Sequence, residues 1–216
     1  MKTGILFDLD GTLLDTLEDL TDSVNHTLET FGCPTRTKQE IRSYLGTGAR
    51  NLIRQALPGK ADDPDLDAVF TAYLDWYANH SNIKTRPYAG ILEALAELQK
   101  SCPIAVVSNK GDPNVKALVK EHFGDDIFAL GETDDCPRKP APDMIFKGMA
   151  AIGVEKCVYV GDSEVDVLTA KNAGMPCLTV LWGFRDEEFL LENGAEHLCD
   201  DPKKMAKALK ELIENG

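Results

Sequence analysis

The apolar run at residues 4–9, within MKTGILFDLDGTLLDT, reads as one β-strand, and the next convincing strand comes only after Arg86-Pro87. A lone strand leaves its backbone N–H and C=O groups without partners, so it cannot stand by itself. It must pair with strands far along the chain, and the stretch between must be an insertion. In that stretch the period changes: Leu14, Leu17, Leu20, Val24, Leu28 and Phe31 recur at threes and fours, the mark of an amphipathic helix, which Gly32 and Pro34 stop. Thr37 with Glu40 forms a capping box opening a helix through Leu45. Gly46 and Gly48 interrupt, residues 49–57 resume as helix, and residues 66–77 carry a further stripe. Its aromatics, Phe70, Tyr73, Trp76 and Tyr77, are expected to pack inside the helical unit.

Past Arg86-Pro87 strands and helices alternate. Residues 91–100 are expected as helix and 104–107 as strand; Asp112 is expected to cap a helix whose first position is Pro113. Strand signals follow at 127–130, 157–160 and 177–181, and helical ones at 143–151, 165–173 and 203–212. This alternation implies a parallel sheet covered on both faces. The expected architecture is α/β: a Rossmann-like doubly wound parallel sheet from residues 1–14 and 85–216, carrying an all-helical cap at 15–84.

At 216 residues, 43% of them hydrophobic, the chain can bury one large core and a smaller one. A formal net charge of −13 repels nucleic acid and anionic lipid, so neither is an expected partner. An anionic substrate then needs cations placed locally. No apolar run reaches bilayer length, and Asp8 and Asp10 interrupt the first one, so it does not read as a signal peptide. The cysteines at 33, 102, 136, 157, 177 and 199 form no CxxC pair and are expected as reduced thiols of a cytoplasmic protein.

Sites in such sheets lie beyond the carboxyl ends of the strands. The first strand ends in Asp8-Leu9-Asp10, where a period of two points both carboxylates the same way. The 104–107 strand leads to Ser108-Asn109-Lys110, the 127–130 strand to Arg138-Lys139-Pro140, and the 157–160 strand to Gly161-Asp162-Ser163 with Asp166 four residues after Asp162. Individually these have plainer readings: helix-capping carboxylates, a strand-end turn, a solvated lysine, a helix N-terminal charge. Together, Asp8, Asp10, Asp162 and Asp166 would repel one another without a cation, and an all-oxygen set suits Mg²⁺. The four histidines are scattered, which disfavours zinc. The amides of Gly11 and Thr12 are expected to receive phosphate oxygens, with Ser108 and Lys139 adding a hydroxyl and a positive charge. Gly46-Thr47-Gly48-Ala49-Arg50 follows a helix and so is no dinucleotide fingerprint. It reads either as a loop turning Arg50 toward a substrate carboxylate or as a plain helix–helix turn.

DLDGTLLDT, SNK, RKPAPDM and GDSEVDV resemble, in order, the four motifs of the haloacid dehalogenase superfamily of phosphotransferases. The inserted helices are placed like the cap of its phosphoglycolate phosphatase-like branch, to which YLGTGARNLIRQAL and LWGFR are also similar. The resemblance implies an aspartyl-phosphate on Asp8, with Asp10 as acid and then base. It implies Mg²⁺ held by Asp8, the Asp10 carbonyl and Asp162, with Asp166 closing the shell or orienting water. Lys139 and Ser108 would then face the phosphoryl oxygens, with Gly11, Thr12 and Asn109 beside them. The implied reaction is hydrolysis of a small anionic phosphomonoester, foremost 2-phosphoglycolate, by a monomer or homodimer. A sugar phosphomutase, a pyrophosphate or nucleotide phosphatase and a non-catalytic binding protein are the alternatives. The family's third motif often continues with proline where this chain has Asp143, which leaves Lys139 in place.

Overall fold

A computed structural model describes residues 2–59 and 65–215, so residues 60–64 of the expected insertion lie outside the described residues. The chain enters through β1 (Thr3–Phe7) and β2 (Leu14–Asp15), then runs through α1 (Leu17–Thr30), α2 (Lys38–Tyr44), α3 (Ala49–Ala56) and α4 (Leu66–His80). It returns by β3 (Arg86–Pro87) and α5 (Ile91–Leu98) to β4 (Ile104–Gly111), α6 (Asp112–Phe123), β5 (Phe128–Glu132) and α7 (Asp143–Ile152). It finishes with β6 (Lys156–Gly161), α8 (Glu164–Ala173), β7 (Cys177–Val180), α9 (Glu187–Glu192), β8 (His197–Cys199) and α10 (Pro202–Asn215).

The first strand finds its partners far away, as its isolation requires. A six-stranded sheet of order β5-β4-β1-β6-β7-β8 has β1 inside it, and every pairing is parallel. Alternation sorts the apolar runs into two layers. Ile5, Phe7, Ile104, Val106, Val158 and Val160 pack with side chains of α5, α6 and α10. Leu6, Ala105, Val107, Cys157 and Tyr159 pack with those of α7 and α8 on the other face. Each fully buried aliphatic side chain contributes roughly 1.5–3 kcal/mol, which is why these strands read as continuous apolar runs.

Register then sets the site. Phe7 aligns with Val106 on one side and Val160 on the other, so Asp8 leaves β1 beside the end of β6 at Gly161, while β4 runs on through Ser108, Asn109 and Lys110 to Gly111 instead of stopping at Val107. From β1 the sheet grows through β4 and β5, then crosses back to β6, β7 and β8. The crevice at that reversal opens over the ends of β4, β1 and β6.

Helices α1 to α4 enclose a second apolar cluster that includes Leu20, Val24, Leu28, Ile41, Leu52, Ile53, Val69, Tyr73 and Tyr77. The capping box of α2 forms: Glu40 N–H donates to the Thr37 hydroxyl, and Thr37 N–H donates back to the Glu40 carboxylate at 2.8 Å. Phe184, from the loop after β7, also enters this cluster, so a residue of the second segment plugs the helical one.

Three local readings differ. Leu14 belongs to β2, which pairs antiparallel with β3 where the chain leaves and re-enters the sheet, because a two-residue ladder shows no periodicity. Gly111 occupies the cap position of α6, while Asp112 in its first turn accepts from Gly131 N–H at 2.9 Å. The short elements α9 and β8 carry too few residues to show a period.

Candidate active site

Asp8 is the first residue past β1, 7% exposed at the floor of the crevice. Lys139 reaches it from the loop before α7. Its ammonium donates all three protons: to Asp8 Oδ2 at 2.9 Å, to Asp166 Oδ1 at 2.8 Å and to the Tyr159 hydroxyl at 3.0 Å. Burial works against the charged amine, but Asp166 and Asp8 together hold its pKa above the usual lysine range. The Tyr159 hydroxyl in turn donates to Asp166 Oδ1 at 3.1 Å. Asp166 Oδ2 accepts from Ser163 N–H at 3.1 Å and from its hydroxyl at 2.6 Å, a capping box that starts α8 and locks the carboxylate in place.

Asp162 lies past the end of β6, 1% exposed. Its Oδ1 accepts from the Thr12 hydroxyl at 3.1 Å and its Oδ2 from Phe184 N–H at 2.7 Å. The Asp162 carboxyl is pushed well above the ordinary range by burial, then by repulsion from Asp166 and Asp8. Asp8 is raised to about 6, by burial first, with Lys139 opposing. Oxygens of Asp8, Asp162 and Asp166 all lie within 4.8 Å of one another. Gly11 must be glycine here: its φ is +81°, and a Cβ would sit 2.3 Å from Asp162 Oδ2.

The side chains do not all gather where the spacing suggested. Asp10 turns its carboxylate away from that cluster to Lys110, whose ammonium lies 3.1 and 3.0 Å from its two oxygens. The third Lys110 proton goes to the hydroxyl of Tyr77 on α4. The strand has ended at Phe7, so strict alternation no longer governs residues 8 to 10. The amides of Gly11 and Thr12 donate to the carbonyls of Leu14 at 2.9 Å and Leu9 at 3.3 Å, closing the turn instead of facing the crevice as a phosphate nest.

Ser108 is 3% exposed beside Asp8 and lines the crevice. Asn109 lines it too, but its side chain is committed: Nδ2 donates to the carbonyls of Lys139 at 2.9 Å and Gly46 at 3.1 Å, and Oδ1 accepts from Lys139 N–H at 2.8 Å. It orients the Lys139 loop. Arg50 does not line the crevice; it pairs with Asp67 on the exposed side of α3, over the Phe70 ring. Four further groups were given no role at the site by the sequence: Lys110, Tyr77, Tyr159 and Phe184. Only Tyr159 carried a signal, a hydroxyl inside an otherwise apolar strand two residues before Gly161.

A profile of haloacid dehalogenase-like hydrolases matches residues 5–180, which span every group just described except Phe184. The chain belongs to that family. A phosphoglycolate phosphatase of Mesorhizobium japonicum is 34% identical over 197 residues, covering 84% of this chain and 84% of the relative. Phosphoglycolate phosphatase 1 of Pseudomonas aeruginosa is 30% identical over 220 residues, covering 97% and 80%. The crystal structure of a candidate phosphoglycolate phosphatase from Lactobacillus delbrueckii subsp. bulgaricus superposes with a TM-score of 0.90 at 36% identity, covering 97% of this chain and 99% of that one. As a member of this hydrolase family the chain is an enzyme, and its doubly wound sheet is the family's fold.

Proposed function

We propose that the chain is a Mg²⁺-dependent phosphatase acting on a small phosphomonoester through a phosphoenzyme on Asp8, with 2-phosphoglycolate preferred. The observation that carries this reading is the charge balance of the crevice. Four carboxylates (Asp8, Asp10, Asp162, Asp166) meet two ammonium groups (Lys110, Lys139), a formal excess of two negative charges in a buried site. A divalent cation fits that excess, and an all-oxygen donor set suits Mg²⁺. Among the described residues, each oxygen of Asp8 and Asp162 accepts one hydrogen bond and keeps a lone pair. Each oxygen of Asp166 already accepts two. Asp8 and Asp162 would therefore hold the ion, and Asp166 would fix Lys139 and the start of α8. Bound there, Mg²⁺ would offset the excess charge and polarise the phosphoryl group.

An Asp8 oxygen attacks phosphorus as the bond to the leaving oxygen breaks, and Asp10 gives that oxygen a proton. Water then attacks the phosphoenzyme while Asp10 takes a proton back, so phosphate leaves and Asp8 is restored. Lys139 and Ser108 oppose the charge that develops on the phosphoryl oxygens. Residues 15–84 act as a cap domain: α3 and α4 roof the crevice, excluding water and shaping the leaving-group side. The two curated relatives, both phosphoglycolate phosphatases, support the substrate. Six free cysteines support a reducing, cytoplasmic setting, and among the described residues no helix is long and apolar enough to cross a membrane.

Phosphate release from 2-phosphoglycolate, pyrophosphate, hexose phosphates and nucleotides, with Mg²⁺ and with excess chelator, tests this. The expected result is Mg²⁺-dependent turnover with kcat/KM for 2-phosphoglycolate at least about tenfold above the rest, the scale of one good polar contact. Even activity across the panel would remove the substrate assignment and keep the phosphatase; silence from folded protein would remove both. Mg²⁺ should also raise Tm, because an ion bound only by the folded chain stabilises it by mass action. An unmoved Tm across a millimolar titration would count against the proposed site.

A further inference from the structure

The crevice is a cleft whose roof is almost entirely apolar, with Leu20, Leu52, Tyr73, Leu74 and Phe184 among its walls. An anionic leaving group entering a chain of net charge −13 needs a cation in that cleft. Among the described residues, two cationic side chains line it, Lys110 and Arg185. Arg185 is spent on architecture: its Nε donates to Glu164 at 2.8 Å, and its Nη atoms donate to the carbonyls of Arg42 at 3.1 Å and Leu45 at 2.8 Å. The donors of Lys110 are filled too, but two of its three bonds go to Asp10, the residue that meets the leaving oxygen. The Lys110 side chain is 6% exposed, and its ammonium sits between Asp10 and the Tyr77 hydroxyl, 4.6 Å from the Tyr77 ring centre.

Building on the phosphatase reading above, we infer that Lys110 is the specificity residue of the leaving-group side. It binds a carboxylate one carbon from the leaving oxygen, and Tyr77 aims it. The spacing carries the inference. If Asp10 protonates the leaving oxygen, the two lie within one hydrogen bond of each other. The carboxylate of a glycolate leaving group is one carbon further on, a span close to the 3.0 and 3.1 Å between Lys110 and the Asp10 oxygens. The incoming carboxylate shares the ammonium with Asp10, loosening the ion pair as the ester reaches the acid. Esters of neutral alcohols meet only the apolar roof and leave Lys110 on Asp10.

Two non-hydrolysable phosphonates of similar shape separate these cases: 3-phosphonopropionate, which carries the carboxylate, and propylphosphonate, which does not. Calorimetry on the full chain with Mg²⁺ should show the first binding about 10- to 100-fold tighter, the range of a hydrogen bond to a charged group. In Lys110→Met that gap should close to within about threefold, and Lys110→Arg should restore most of it. Lys110→Gln, a polar near-isostere, repeats the test should the methionine variant fail to fold. A gap that persists in either folded variant overturns the assignment of Lys110 and leaves the phosphatase reading standing. No gap in the unaltered protein, together with equal hydrolysis of 2-phosphoglycolate and ethyl phosphate, overturns the substrate reading and this inference with it.

Discussion

Asp8→Asn is expected to abolish turnover, lowering kcat by at least about 10⁴-fold, because no other group supplies the attacking oxygen. The fold should survive. The asparagine carbonyl remains an acceptor for Leu9 N–H, which Asp8 now binds at 2.7 Å, and Lys139 keeps Asp166 and Tyr159. The substitution also removes a carboxylate whose burial raises its pKa to about 6, so it relieves repulsion with Asp166 and Asp10. Steady-state phosphate release and a urea unfolding curve on the same preparation check both halves. Retention of more than about 1% of kcat would remove Asp8 as the nucleophile. Lost activity with a collapsed unfolding midpoint would mean that Asp8 acts through the structure instead.

The second large effect lies where the helices leave the sheet. Asp19 is 2% exposed on α1, and its carboxylate accepts from three successive amides: Ile83 at 2.9 Å, Lys84 at 2.9 Å and Thr85 at 2.8 Å. Those amides begin the return to β3, which pairs with β2, so Asp19 ties the exit of the helical unit to its entry. A buried donor left without an acceptor costs roughly 1–3 kcal/mol. With one buried donor, Thr85 N–H, and two part-buried ones at stake, Asp19→Ala should lower the unfolding free energy by about 2 kcal/mol or more. That is a large share of the roughly 5–15 kcal/mol a domain possesses. Asp22→Ala is the contrast: Asp22 pairs with Lys84 at 2.7 Å but is 58% exposed, and its loss should cost less than about 1 kcal/mol. Equal shifts of the urea midpoint in the two variants would contradict the hinge role of Asp19.

Arg50 and Asp10 show where local reading stops. Arg50 belongs to a segment whose helical character is plain from its residues, yet its side chain turns to Asp67, because which face of α3 meets α4 depends on contacts seventeen residues apart. Asp10 stands next to the crevice in sequence, yet its partner Lys110 is one hundred residues away. Lys110 was visible as part of Ser108-Asn109-Lys110, but nothing local distinguishes a buried lysine with three filled donors from a solvated one.

What repeats over short distances was legible in the chain alone: the alternation of strands and helices, the doubly wound sheet, the helical insertion and the two strand ends that carry Asp8 and Asp162, whereas β4 continues through Ser108 to Gly111 and Lys139 lies in the loop before α7. These follow from apolar periodicity and from where it breaks, which any window of the chain displays. The pairing of charges emerged only in three dimensions. Lys139 went to Asp8 and Asp166, Lys110 to Asp10, and Phe184 to the helical core while its amide holds Asp162. Ionic partners are chosen by burial and distance between segments remote in sequence, because only a desolvated charge must find its complement within a few ångströms.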